Sequence, residues 1–179
     1  MVKIPFEAFI RGCAPETLGS GSIFGAISTE ATTFLLRNGD IHQVSEGDTV
    51  YRYGEKGSSF FVVCSGQLAF HKRCGSHSVV TRTVGFGEEI GFAAMIALVD
   101  HAGHAVAIED SVLLEISAAL FGELYQHYPQ DFGLMLMNLA RDLARNVRRL
   151  SDMIVELNIG KSAVGAFCDC SQPRNPPLQ

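Results

Sequence analysis

Between Ile41 and Thr83 apolar and polar residues alternate in short runs. Successive side chains of a strand point to opposite faces, so a period of two predicts half-buried strands. The runs are Ile41–Val44, Thr49–Tyr53, Ser59–Cys64, Gln67–Lys72 and Ser78–Thr83. Between and after them stand Glu46-Gly47-Asp48, Gly54-Glu55-Lys56-Gly57, Ser65-Gly66, Gly75-Ser76 and Gly85-Phe86-Gly87, all rich in turn formers. Two further strands are expected at Ala102–Ile108 and Val112–Ile116. Short strands at this spacing predict an all-β sandwich or jelly roll.

Helical signals flank the strands. Residues 1–22, with Pro5, Gly12, Pro15, Gly19 and Gly21, read as an irregular lead-in with at most a short helix at Pro5–Arg11. Ser28-Thr29-Glu30 caps a helix over Glu30–Arg37 that stops at Asn38-Gly39. After the strands come an amphipathic helix at Ala118–His127 and a long one from Pro129 to Asn158, with proline tolerated in its first turn. The long helix places Leu136, Ala140, Leu143, Val147, Leu150, Ile154 and Leu157 at alternating spacings of four and three. That is a heptad seam, and it predicts a homodimer through a coiled coil. Gly160 is expected to end the helix, and residues 159–179, with Pro173, Pro176 and Pro177, are expected to be a disordered tail.

Charge and composition narrow the function. The chain has 179 residues, of which 47% are hydrophobic and 18% charged, with net charge −5. Residues 1–128 hold 8 Lys and Arg against 14 Asp and Glu, and residues 129–157 hold 4 against 4. An acidic body with a neutral helix does not fit direct DNA binding. No apolar run reaches the length of a membrane span, and the N-terminus lacks the apolar core of a signal peptide, so a cytoplasmic location is expected. Five scattered cysteines fit reduced thiols. Cys168-Asp169-Cys170 is too close-set for an ordinary zinc pair, and no metal is expected.

The stretch Gly85–Asp110, GFGEEIGFAAMIALVDHAGHAVAIED, is the candidate site. Its glycines let a ligand approach main-chain N–H groups. Yet no Lys or Arg occurs from Val84 to Tyr128, while Glu88, Glu89, Asp100, Glu109, Asp110, Glu115 and Glu123 are acidic.

The run IFGAISTEATTFLLRNGDIHQVSEGDTVYRYGEKGSSFFVVCSGQLAF resembles the entry of the cyclic-nucleotide-binding domain of catabolite-activator/FNR-like regulators. The matching features are the apolar-Ser-x-Glu helix start, the EGDTVYRYGEKGSSFFVV strand–turn–strand and the SGQLAF opening of the next strand. The resemblance covers residue 23 to about residue 158. It implies a mainly β fold with α, in which a β jelly roll at 23–128 is followed by a long dimerisation helix at 129–158. It also implies a phosphate cassette: a turn, Gly-Glu, a short helix, then Arg followed by Ser, Thr or Ala. In that family the short helix and the Arg hold a cyclic phosphate, and the Glu binds the ribose. Anion binding at a helix N-terminus beside a guanidinium has this physics.

Aligned to the cassette, Gly91 keeps the glycine, Phe92 stands for the glutamate, and His101-Ala102 stands for Arg-Ser. Phe92 reads as a core plug in the former pocket. The N–H groups of Phe92, Ala93 and Ala94 still form an anion-capable turn, with His101 and His104 nearby in sequence. Asn146 lies on the long helix near the position that covers the base in that family. The family's helix-turn-helix module is not expected, with 21 residues following Asn158. The expectation is a non-catalytic homodimeric regulatory protein with weak or lost cAMP or cGMP binding, acting through a protein partner. The alternative is a sensor of a different nucleotide or anion at Gly91, His101 and His104.

Overall fold

In a computed structural model, residues 1–12, 14–74 and 77–162 are described. The strands are β1 (Val2–Ile4), β2 (Asp40–Val44), β3 (Thr49–Tyr51), β4 (Ser59–Ser65), β5 (Leu68–Cys74), β6 (His77–Val84), β7 (Glu89–Ile90), β8 (His104–Ala107) and β9 (Ser111–Ser117). The helices are α1 (Phe6–Phe9), α2 (Pro15–Leu18), α3 (Thr29–Asn38), α4 (Phe92–Ala97), α5 (Ala118–His127) and α6 (Pro129–Ser162). One sheet runs β1-β2-β9-β4-β7 and the other β3-β8-β5-β6, and every pairing is antiparallel. This is the expected jelly roll followed by a long helix.

Two faces of the first sheet are apolar, which explains why β4 reads FFVVC rather than as a clean alternation. Val44, Phe61, Val63 and Leu113 face Tyr51, Leu68, Val84 and Ala105 between the sheets. Phe60, Ile116 and Leu114 are also fully buried.

The lead-in corrects the sequence reading. Val2, Lys3 and Ile4 form an edge strand in register with Gln43, His42 and Ile41. Leu18 is a core residue at 0% exposure, like Ile23 and Phe24 just after the lead-in. A three-residue strand is too short to show a period, and its partner supplies the order. Gly87 is required where the lead-in crosses the cassette turn. Its φ is +73°, and a Cβ there would lie 2.2 Å from Gly21 Cα. Ile23 N–H and Ser22 Oγ both donate to Gly87 O, at 3.0 and 3.1 Å.

The expected caps hold. Ser28 precedes α3 and its hydroxyl accepts from Ala31 N–H at 3.2 Å. The Ser28 N–H and Oγ also donate to Asp131, at 2.7 and 3.0 Å, tying the first turn of α6 to α3. Asn138 adds two bonds from Nδ2, to Ile23 O and Gly25 O. Gly160 does not end α6, which continues to Ser162. A glycine favours a helix end because it can leave the helical conformation at little cost, but this one stays helical. The tail from 163 to 179, with Cys168 and Cys170, lies outside the described residues, as does Cys13.

The chain divides into two compact units, Met1–Arg141 and Asp142–Gln179. The first takes in the lead-in, the jelly roll and the opening turns of α6. The second is helical where described. Among the described residues no helix is long and apolar enough to cross a membrane.

Candidate functional site

The candidate site is built from the turn after β6, the short strand β7, helix α4 and the loop into β8. Gly91 is the N-cap of α4 at φ 102° and ψ −15°. A Cβ there would come within 3.3 Å of His101 Cε1 and 3.4 Å of Ser59 O. The glycine is therefore set both by its backbone and by the ring beside it. Leu98 closes α4 in the left-handed region and is exposed.

Phe92 is 1% exposed. Its ring meets Phe60 edge-on at 5.4 Å and Phe121 at 6.1 Å, and Phe60 and Phe121 are themselves T-shaped at 5.8 Å. Edge-to-face aromatic packing of this kind adds to simple burial. The Phe92 side chain thus belongs to the core. Ala93 and Ala102 are exposed and Ala94 is half-buried.

His101 is buried and lies flat on Tyr51, with ring centroids 3.7 Å apart. Its N–H donates to Glu55 O at 2.8 Å, and its carbonyl accepts from Gly54 N–H at 2.9 Å. Burial lowers the His101 pKa below its ordinary value, against the opposing charges of Glu55 and Asp100. Burial, reinforced by Glu89, pushes the Tyr51 phenol well above its ordinary value. Burial thus favours the neutral form of the His101 ring.

His104 does not join it. The His104 ring stacks on His71 at 4.9 Å, across the β5–β8 pair. Gly91 and His101 come together, whereas His101 and His104 engage different rings. Asn146 bonds along its own helix, donating to Asp142 Oδ2 at 3.0 Å and accepting from Arg149 at 3.1 Å.

The sequence did not single out Glu89 for what it does here. It is 2% exposed, its Oε2 accepts from Phe92 N–H at 2.9 Å, and its Oε1 lies 3.5 Å from Arg82 Nη1. A buried carboxylate of the chain thus takes the first N–H of α4 and faces the last guanidinium before the cassette. Glu88 accepts from Gly85 N–H at 2.7 Å and fixes the preceding turn. No local signal marks Glu89, because β7 is two residues long and Arg82 nears it only in the folded chain.

Residues 41–128 match the family model of the cyclic nucleotide-binding domain, and this part of the chain belongs to that family. Two curated relatives and one solved structure illustrate the likeness. The chain is 31% identical over 110 residues to lysophospholipase NTE1 of Cryptococcus neoformans var. neoformans, covering 62% of this chain and 6% of that protein. It is 27% identical over 136 residues to the cyclic AMP receptor protein of Thermus thermophilus, covering 75% of this chain and 61% of that one. The fold matches a cyclic nucleotide-binding domain from Methylobacillus flagellatus KT at TM-score 0.73 and 19% identity, over 87% of this chain and 88% of that one. The chain spans less than two thirds of the length of either curated relative.

Proposed function

We propose that the chain is a non-catalytic regulatory module that pairs with a second copy through the seam of α6 and acts through a protein partner. In this reading it binds cAMP and cGMP weakly or not at all. The observation that carries it is Phe92, buried among Phe60 and Phe121 in the position of the ribose carboxylate. His101 adds to it, as a neutral ring under Tyr51 where a guanidinium would be required. A charged hydrogen bond contributes about 1.5–3 kcal/mol, so losing two lowers affinity by roughly two to four orders of magnitude.

The non-catalytic part rests on how the polar side chains pair. Ser59, Glu115 and His42 meet, but Ser59 Oγ and His42 Nε2 both bond to Glu115, at 2.7 and 2.8 Å. A nucleophile needs its base within reach, and here the carboxylate stands between them. The lysophospholipase relative shares only a stretch covering 6% of its length.

The alternative sensor at Gly91, His101 and His104 draws less support, because its two histidines engage different rings. Calorimetry of the full chain with cAMP and with cGMP tests the main reading. The expected outcome is no binding in the low micromolar range. A low-micromolar Kd for either nucleotide would overturn it. Stabilisation by another nucleotide in a thermal-shift screen would favour the alternative.

A further inference from the structure

Three side chains from two strands converge at the β1 end of the first sheet, away from the cassette. Asp40 and His42 are alternate residues of β2, so both project from one face. Glu115 on β9 is the register partner of Asp40. The pairing therefore brings all three side chains to one corner of the sheet. One ligand atom from each of Asp40, His42 and Glu115 lies within 4.8 Å of the others.

We propose that Asp40, His42 and Glu115 form a binding site for a divalent first-row transition metal ion, with Zn²⁺ as its reference occupant. One imidazole nitrogen and two carboxylate oxygens are ligands that zinc takes, with solvent completing a tetrahedron. Metal–ligand bonds of about 2.0–2.2 Å place tetrahedral ligand atoms roughly 3.4 Å apart. His42 Nε2 and Glu115 Oε2 are already 2.8 Å apart, so the remaining adjustment falls mainly on Asp40. The Asp40 side chain is 46% exposed and sits at the start of its strand, where it has room to turn.

The surroundings suit a cation. Two carboxylates and a neutral imidazole balance a double positive charge, so the bound site carries no net charge. Ser59 Oγ fixes Glu115 Oε1 at 2.7 Å and leaves Oε2 facing His42. That is the orienting role outer partners play for metal-ligating carboxylates. The His42 ring lies 6.3 Å from Phe61, so one side of the site is apolar and the other is open at Asp40.

One group competes. The Lys3 ammonium pairs with Asp40 Oδ1 at 2.5 Å, and its side chain is 63% exposed. An incoming cation displaces it into water at little cost, since exposed ion pairs contribute little.

The test uses the untagged full chain and two probe ions, Zn²⁺ in calorimetry and Co²⁺ in absorption. The expected result is one ion per chain, with a Co²⁺ spectrum of nitrogen and oxygen ligands and no thiolate charge-transfer band. That spectrum separates this site from the chain's cysteines. Asp40→Asn, at an exposed position that leaves the fold intact, and His42→Gln each weaken binding more than about tenfold, the scale that even outer partners of metal ligands reach. Lys3→Met tightens it by removing the competing charge. Absence of binding, a thiolate spectrum, or affinities unmoved by all three substitutions would overturn the proposal.

Discussion

The imidazole of His101 lies on the ring of Tyr51 with the two planes 12° from parallel and the centroids 3.7 Å apart. Tyr51 in turn stacks on Phe61 at 6.2 Å. A residue that sequence alignment places at a phosphate ligand is thus the end of an aromatic stack. Its charge state follows from that position, because the stack removes water from the ring.

The pH dependence of stability follows in sign. The folded pKa of His101 is lowered from 6.5, so the unfolded chain binds the proton more readily. The contribution of neutral His101 is complete above about pH 6.5 and is lost as pH falls from there toward the folded pKa. Glu55 and Asp100, whose charges oppose the shift, moderate the loss. Thermal melts from pH 8 down to pH 5 are expected to fall more steeply below 6.5 for the native chain than for His101→Phe. Parallel curves for the two would refute this role.

Phe92→Ala tests the core assignment. A phenylalanine that is 1% exposed and packed on two other rings leaves a cavity when truncated. The expected cost is about 3–5 kcal/mol, measured by urea unfolding with an unchanged m-value. A cost below about 1 kcal/mol would mean that the ring is replaceable by water or by neighbours, as at a pocket wall.

Glu89→Ala tests the internal anion. It removes the acceptor of Phe92 N–H and leaves the Arg82 guanidinium, 14% exposed, without this carboxylate. Removing one partner of a buried charge pair costs about 3–5 kcal/mol. Glu89→Gln keeps an acceptor for the N–H and is expected to lose less. Equal losses for the two substitutions in urea unfolding would show that the charge, rather than the hydrogen bond, sets the value.

The strands, caps and long helix were legible because each depends on local signals. The β2 to β6 run was marked by turn residues, and the Ser28 cap lies three residues from its donor Ala31. What escaped depends on distant pairing. β1 exists because β2 lies beside it, and β7 is two residues long. The candidate stretch was chosen for its glycines and its family spacing, and Phe92, read there as a core plug, is buried. Glu89 was missed because Arg82 and Phe92 N–H come beside it only once β6, β7 and α4 are folded. His101 and His104 look paired in sequence, yet the loop places one ring under Tyr51 and the strand sets the other on His71.

The seam of α6 gives the last prediction. Val147, Leu150, Ile154 and Leu157 are 64%, 46%, 58% and 63% exposed, and Leu136 is 37% exposed. Their spacing of three and four keeps them on one stripe along the helix. Burying a leucine side chain contributes about 1.5–3 kcal/mol, so a stripe of this length is costly to leave in water. A second copy with the same stripe satisfies it by a two-fold contact in which each residue meets its counterparts. The native chain is expected to scatter light as a dimer. Leu150→Asp with Leu157→Asp places charges in the seam at exposed positions, so each chain keeps its fold and the pair falls apart. A native chain of monomer mass would refute the seam. A dimer that survives both substitutions would place the contact elsewhere.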